Sequence, residues 1–260
     1  MLHFILLTLM GITLALKGTA EPINTPIVVK DQLVFGINQP GIVLNAPITV
    51  LPSATLIFQN TTVFNWAEQP PILQAPSSTI ILDNTLIVLT DQVHIPWGNI
   101  IIKGSCRIAG PHVWQHSAPT LCEITSKSSL TFAAQATFQY NGSEQEKEAF
   151  LFSERSSTLH LDNAHLRAGP QGLLMRTGSF LIEGRCTVYA ENNNPTKGIT
   201  LGTGRRVRDN MRFKFASGDS TLKVIAPHFQ EKHKRSFLLK GLAIAGGALL
   251  LCGGLIATRL

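Results

Sequence analysis

The chain has 260 residues, 44% of them apolar and 15% charged, with a formal net charge of +6. That balance excludes a disordered chain, which lacks the apolar surface needed to offset the entropy of ordering. A charge of +6 is modest for a nucleic-acid-binding surface, and nucleic acid is not expected as a partner.

Leu2 to Leu16 form an apolar run of 15 residues, broken by His3, Thr8, Gly11 and Thr13 and followed by Lys17-Gly18-Thr19-Ala20. Small residues at Gly18 and Ala20 fit a secretory cleavage site before Glu21, so residues 1–20 are expected to be a signal peptide. Met1-Leu2-His3 carries no Lys or Arg. An uncleaved anchor is therefore the alternative.

From Leu33 to Val224 a short apolar unit recurs. Its clearest copies are Ala54-Thr55-Leu56-Ile57-Phe58-Gln59-Asn60, Ser78-Thr79-Ile80-Ile81-Leu82-Asp83-Asn84 and Ser157-Thr158-Leu159-His160-Leu161-Asp162-Asn163. The first apolar residues of the units are Leu33, Leu56, Ile80, Ile100, Leu130, Leu159, Phe180, Ile199 and Leu222, at intervals of 23, 24, 20, 30, 29, 21, 19 and 23. Such a period, carried by β-branched and apolar residues, is the signature of a solenoid. Two residues after each anchor stands another apolar one: Phe35, Phe58, Leu82, Ile102, Phe132, Leu161, Ile182, Leu201 and Val224. Period-2 alternation puts both on one face of a strand, so each coil should send two side chains inward.

Four residues after the anchor come Asn60, Asn84, Gly104, Asn163 and Gly184, residue types that tolerate positive φ in a tight corner. Ala134 interrupts this series, as do Ile37 and Thr203 near the ends. A second apolar stretch follows each corner: Val63-Phe64, Leu86-Ile87-Val88, Ile108, Phe138, Leu166 and Val188. An antiparallel sandwich also has many short strands, but it gives no reason for Asn or Gly at a fixed place. Glu144 to Phe152, with Ser143 as a cap, comes nearest to an amphipathic helix in this region.

These features resemble the right-handed parallel β-helix, pectin-lyase-like, solenoid class over about 190 residues. The resemblance is one of architecture and includes no active-site motif of a family. It implies an asparagine ladder along the corners. The expected fold is all-β: a single-stranded parallel β-helix over 21–230, about 40 Å long from eight coil steps.

Phe237 to Ala257 is a run of 21 residues whose one charge is Lys240. At 1.5 Å per residue it would reach about 31 Å, the thickness of a bilayer core. We expect 237–257 to be a transmembrane helix, preceded by a basic juxtamembrane segment, 231–236, and followed by a short tail, 258–260. Ala243 and Gly247 have the small-xxx-small spacing through which such helices self-associate. Lys232, Lys234 and Arg235 precede the run and Arg259 follows it. Positive-inside logic would put this cluster in the cytoplasm, whereas a cleaved signal would put it outside. Export and membrane anchoring at the cell envelope or surface is the expected location, with a cytoplasmic-facing membrane protein as the alternative.

Four cysteines, Cys106, Cys122, Cys186 and Cys252, show neither Cys-x-x-Cys nor zinc spacing, and no metal or cofactor is expected. Cys106 and Cys186 stand six residues after their anchors, three coils apart. Cys106 and Cys122 either bridge or remain buried thiols.

A solenoid stacks equivalent residues into columns. Three residues after the anchor the column reads Gln59, Asp83, Lys103, Ala133, Asp162 and Glu183. Asp162 and Glu183 would stand on neighbouring coils about 5 Å apart. There they can bind a divalent cation or act as acid and base in glycan cleavage, or they form an ordinary solvated face. Arg205, Arg206, Arg208, Arg212 and Lys214 form a basic segment suited to anionic glycan or lipid headgroups. Asn60-Thr61-Thr62 and Asn141-Gly142-Ser143 have the form of glycosylation acceptors. Trp66, Trp97 and Trp114 lie near corners, and His94, His112, His116, His160 and His165 are scattered without metal spacing. The expected function is structural, adhesive or surface-binding. The alternative is a carbohydrate-active enzyme, a polysaccharide lyase or glycoside hydrolase, on the same scaffold.

Overall fold

The computed structural model describes residues 20–66, 72–117, 122–141, 151–169, 173–175, 177–190, 199–201, 210–215 and 221–225. In chain order the first coils hold β1 (Glu21–Ile23), β2 (Ile27–Val29), β3 (Gln32–Phe35); β4 (Gly41–Leu44), β5 (Ile48–Val50), β6 (Thr55–Gln59); and β7 (Thr62–Trp66), β8 (Ile72–Gln74), β9 (Thr79–Asp83). The middle coils hold β10 (Leu86–Leu89), β11 (Val93–Ile95), β12 (Asn99–Lys103); β13 (Ser105–Ala109), β14 (Val113–Ser117), β15 (Cys122–Ile124); and β16 (Ser129–Ala133), β17 (Thr137–Asn141), β18 (Leu151–Phe152). The last are β19 (Thr158–Asp162), β20 (His165–Ala168), β21 (Leu173–Met175); β22 (Thr177–Glu183), β23 (Arg185–Ala190), β24 (Ile199–Leu201); and β25 (Asn210–Phe215) with β26 (Thr221–Ile225).

Each strand pairs in parallel with a strand three places before or after it, so the chain is an all-β parallel β-solenoid with three walls. The first wall stacks nine strands, from β1 to β25. The second strands of the coils form a three-stranded sheet, β2-β5-β8, and a six-stranded one from β11 to β26. The third strands form a six-stranded sheet from β3 to β18 and the pair β21-β24.

The inward pairs are where the alternation places them. Leu56 and Phe58, Ile80 and Leu82, Ile100 and Ile102, Leu130 and Phe132, Leu159 and Leu161, and Phe180 and Ile182 are all buried. So are Val63, Ile87, Ile108, Phe138, Leu166 and Val188 from the stretches after the corners. Each such side chain contributes about 1.5–3 kcal/mol by leaving water. Aromatic rings continue the filling along the axis: Phe35 stacks on Phe58 at 5.7 Å, and Trp66 meets Trp114 edge-on at 5.1 Å. Two of the three tryptophans thus belong to the core, while Trp97 is exposed.

The anchors do not form one column, however. Leu33, Leu56, Ile80 and Ile100 are in register on the third wall, and the next residue in that column is Cys122. Leu130, Leu159 and Phe180 are in register on the first wall, where the residue before Leu130 is Cys106. Ile199 pairs with Leu173, and Leu222 pairs with Cys186 on the second wall. The repeated unit has moved one wall along the coil, since the interval of 30 from Ile100 to Leu130 is one coil of 22 to Cys122 plus 8 to the next wall. Cys106 and Cys186 consequently belong to different walls.

Both corners adopt the left-handed conformation. Asn60, Asn84 and Gly104 have φ of 51°, 48° and 62°, and Ala134, Asn163 and Gly184 have 52°, 48° and 67°. Ala134 keeps the corner geometry although its residue type departs from the series. The corner asparagines do not form the expected ladder. Asn84 Oδ1 accepts a hydrogen bond from the Ser105 backbone N–H at 3.0 Å, and Asn163 Oδ1 accepts one from Arg185 N–H at 3.1 Å, each on the following coil. A ladder exists instead in the first coils, between the first and second walls, where Asn45 donates to Asn24 at 2.9 Å and Asn65 to Asn45 at 3.5 Å.

Leu151 and Phe152 form a strand, so the apolar end of 144–152, the stretch that comes nearest to a helix in the sequence, is β-structure; residues 142–150 lie outside the described residues. So do residues 1–19 of the expected signal peptide, Arg205, Arg206, Arg208, Lys232, Lys234, Arg235 and the run 237–257. Among the described residues no helix is long and apolar enough to cross a membrane.

Candidate functional site

The densest set of interacting charged side chains among the described residues faces outward from the first wall, on β13, β16, β19 and β22. Inward and outward residues alternate along these strands. Burying Leu159 and Leu161 therefore turns His160 and Asp162 out, and burying Phe180 and Ile182 turns Glu183 out. Asp162 and Glu183 are register partners, as the column expected. The rest of that column splits as the anchors do. Gln59, Asp83 and Lys103 lie on the third wall, and Ala133 joins Asp162 and Glu183 on the first.

Neither carboxylate stands alone. Arg107 donates to Asp162 Oδ2 at 2.7 Å, reaching across the intervening strand β16. It can do so because β16 turns small residues outward there, Thr131 and Ala133, which are themselves buried. Asn163 Nδ2 donates to the other oxygen of Asp162 at 2.9 Å. His160 Nε2 lies 3.0 Å from Glu183 Oε2, although its N–H is not aimed at that oxygen, so the contact is an ion pair by distance when the imidazole is protonated. The other ring nitrogen is 3.4 Å from the Thr131 hydroxyl. Burial pushes the His160 pKa below its ordinary value; Glu183 and then Asp162 oppose that shift, and Arg107 adds to it. At neutral pH the imidazole is neutral.

Thr131, His160 and Glu183 thus make a hydroxyl–imidazole–carboxylate line, but the Thr131 hydroxyl sits in a residue only 7% exposed. A nucleophile must meet its substrate, and this one does not. Among the described residues no group of three or more His, Cys, Asp or Glu is close enough together to hold a metal ion. Of the basic segment, Arg212 and Lys214 lie on β25, opposite Ser179 and Leu181 of β22. Lys214 therefore occupies the same register column as His160, Thr131 and Arg107.

The sequence singled out Asp162 and Glu183 but missed Arg107, Thr131 and His160. The signal for His160 was present, because it stands in the unit where the earlier copy has Ile81, between two inward leucines. Arg107 was hidden by the shift between walls. The remaining histidines divide. His94 is exposed and lies 3.0 Å from the Ser117 hydroxyl, whereas His116 is fully buried beside Tyr140, with ring centroids 5.9 Å apart. Cys106, Cys122 and Cys186 are free and buried. Burial pushes the Cys106 thiol up to about 11 and raises the other two, which keeps them protonated and poorly nucleophilic.

Comparison with protein-family models, curated proteins and solved structures finds no match.

Proposed function

We propose that the chain is an exported, membrane-tethered rod with a structural or adhesive role, presenting its walls to a partner surface. One observation carries this reading. Of the two carboxylates suited to acid–base chemistry, Asp162 is held by Arg107 and Asn163, and Glu183 stands against the His160 imidazole of the same wall. A general acid and base must instead be free to exchange protons with substrate. The apolar run Leu2 to Leu16 with Gly18 and Ala20 supports export, and the run 237–257 behind Lys232, Lys234 and Arg235 supports the tether. In this reading the basic residues outside the membrane, with Arg205, Arg206, Arg208, Arg212 and Lys214, rest on anionic lipid or glycan.

The test combines topology with turnover. Mass measurement of the mature chain should show cleavage before Glu21, and protease added to intact cells should digest the solenoid domain. Purified chain should release no product from a panel of acidic and neutral polysaccharides, with Asp162→Asn/Glu183→Gln indistinguishable from wild type. Protection from protease contradicts export and favours the cytoplasmic-facing alternative. Turnover that the double variant abolishes replaces this reading with the carbohydrate-active enzyme.

A further inference from the structure

Among the described residues the first coil has a stacked neighbour on one side only. Its inward side chains Ile27, Leu33 and Phe35 are partly exposed, whereas their register partners on the second coil, Ile48, Leu56 and Phe58, are fully buried. Its backbone edge is open as well. The carbonyls of Ile23, Val29 and Asp31 accept hydrogen bonds from the second coil, and the Ile27 N–H donates to it. Ladder groups alternate in direction along a strand, so Pro22 of β1, Val28 of β2 and Gln32 and Val34 of β3 direct their backbone groups away from the stack. Val28 is 54% exposed. Solenoids carry a cap at such an end, because a bare edge is a template for another strand. On the reading proposed above, cleavage before Glu21 leaves no residue ahead of β1 to form one.

We propose that the open first coils of two mature chains stack on each other head to head, forming antiparallel β-pairs about a two-fold axis perpendicular to the rods. A helix is unchanged by such an axis, so the second copy continues the spiral where the next coil would stand. The residues of the first coil fit this operation. With the axis passing beside Val28, residues equally far from it along the chain face each other. Val28 faces Val28 of the second copy, Ile27 faces Val29 of the second copy, Ile23 faces Leu33 and Pro22 faces Val34. Open-edge groups thus meet open-edge groups, and inward side chains meet inward ones. The two Val28 residues exchange two hydrogen bonds, and each Val34 N–H donates to a Pro22 carbonyl. Symmetry makes every pairing but the central one occur twice. Residues ahead of Glu21 would carry the spiral on into the space that the second copy takes, so the contact needs the free end that cleavage creates. One coil against one coil is at the small end of specific interfaces, so the contact is weak singly and multiplied by many copies on a surface. Head-to-head rods carry their C-terminal ends at opposite ends of the pair. On the tethered reading proposed above, on which this inference rests, the contact joins two facing membranes.

Sedimentation equilibrium in detergent should show dimers of the mature chain beginning at Glu21, and association at least about tenfold weaker for the chain that retains residues 1–20. Val28→Pro should weaken dimerisation of the mature chain by a similar factor with its melting temperature unchanged, since proline removes the central donor and is tolerated on an edge strand. Oxidation reports the geometry. In a Cys252→Ser background, Val28→Cys should form a disulfide between copies, because hydrogen-bonded antiparallel partners lie about 5.5 Å apart at Cα. Leu73→Cys, two coils further along the same wall and 51% exposed, should not. Val28→Cys decides alone if Val28→Pro fails to fold. A mature chain that is monomeric, a dimer indifferent to Val28→Pro or to residues 1–20, or cross-linking as efficient at position 73 as at 28 overturns the proposal. Phosphatidylcholine vesicles carrying the mature chain should cluster, and Val28→Pro should disperse them. Dimers without clustering leave the stacking standing and contradict the tether. Dimers of the mature chain, with residues 1–20 retained on the chain isolated from cells, leave the stacking standing and contradict export.

Discussion

A methyl group added at Gly104 would lie 2.1 Å from Asn84 Oδ1, and at Gly184 it would lie 2.3 Å from Asn163 Oδ1. The two sites are one device used at two corners. Glycine on one coil leaves room for the carboxamide of the coil before it, and that carboxamide caps the N–H of the residue after the glycine. Gly104→Ala should therefore be destabilising for two reasons. Its φ of 62° costs an alanine roughly 1–3 kcal/mol, and Asn84 must swing away, leaving the Ser105 N–H without its acceptor at a further cost of about 1–3 kcal/mol. Denaturant unfolding in a double-mutant cycle checks this. Gly104→Ala should cost less in an Asn84→Ala background but still more than zero, and strict additivity would contradict the clash. The positive φ was legible in the residue types Asn and Gly. Their pairing across coils was not, because the spacing within a coil carries no information about which residue lies on the next.

At the scale of strands, the alternation of buried and outward residues was fully readable. Ser-Thr-Leu-His-Leu-Asp-Asn allows one inward face whichever wall the strand joins. For that same reason the wall itself was not readable, and what reads as a single column of anchors is divided among all three walls. The polar cluster on β13, β16, β19 and β22 depends on the true register, since Arg107 reaches Asp162 only if both belong to the first wall. That half-exposed pair contributes little to stability, at most about 1 kcal/mol. His160 gives the cluster a pH dependence with a definite sign. Its folded pKa is lowered from 6.5 by burial, so the unfolded chain binds more protons below that value and stability rises with pH through this window. The contribution is complete above about pH 6.5 and is lost as pH falls through the lower folded value. His165, also lowered by burial and by Arg167, acts in the same direction. Thermal melts between pH 5 and 7 should show a shallower acid loss for His160→Gln than for wild type; parallel profiles would mean that His160 titrates normally in the fold.

Across the whole molecule, period and composition announced a solenoid, and the intervals of 30 and 29 marked where it departs from regularity. The first of these is a change of wall. In the second, between Leu130 and Leu159, the anchors are successive register partners on the first wall, so the whole interval is one coil lengthened by residues 142–150. Val34, Ile57, Ile81 and Ile101 on the third wall belong to copies of the unit before the change of wall, Thr131, His160, Asp162 and Glu183 on the first wall to copies after it, and Arg107 stands between the two sets. Cross-linking tests the stacking on which all of this rests. In a Cys252→Ser background, with the remaining native thiols buried and held protonated, Ser105→Cys and Ser129→Cys face each other in register, with hydroxyls now 3.5 Å apart. That pair should oxidise readily to a disulfide. Asn99→Cys with Ser129→Cys, equivalent places in the repeated unit but on different walls, should not. The reverse result, a bridge between positions 99 and 129 and none between 105 and 129, would contradict the register and the three-walled solenoid built on it.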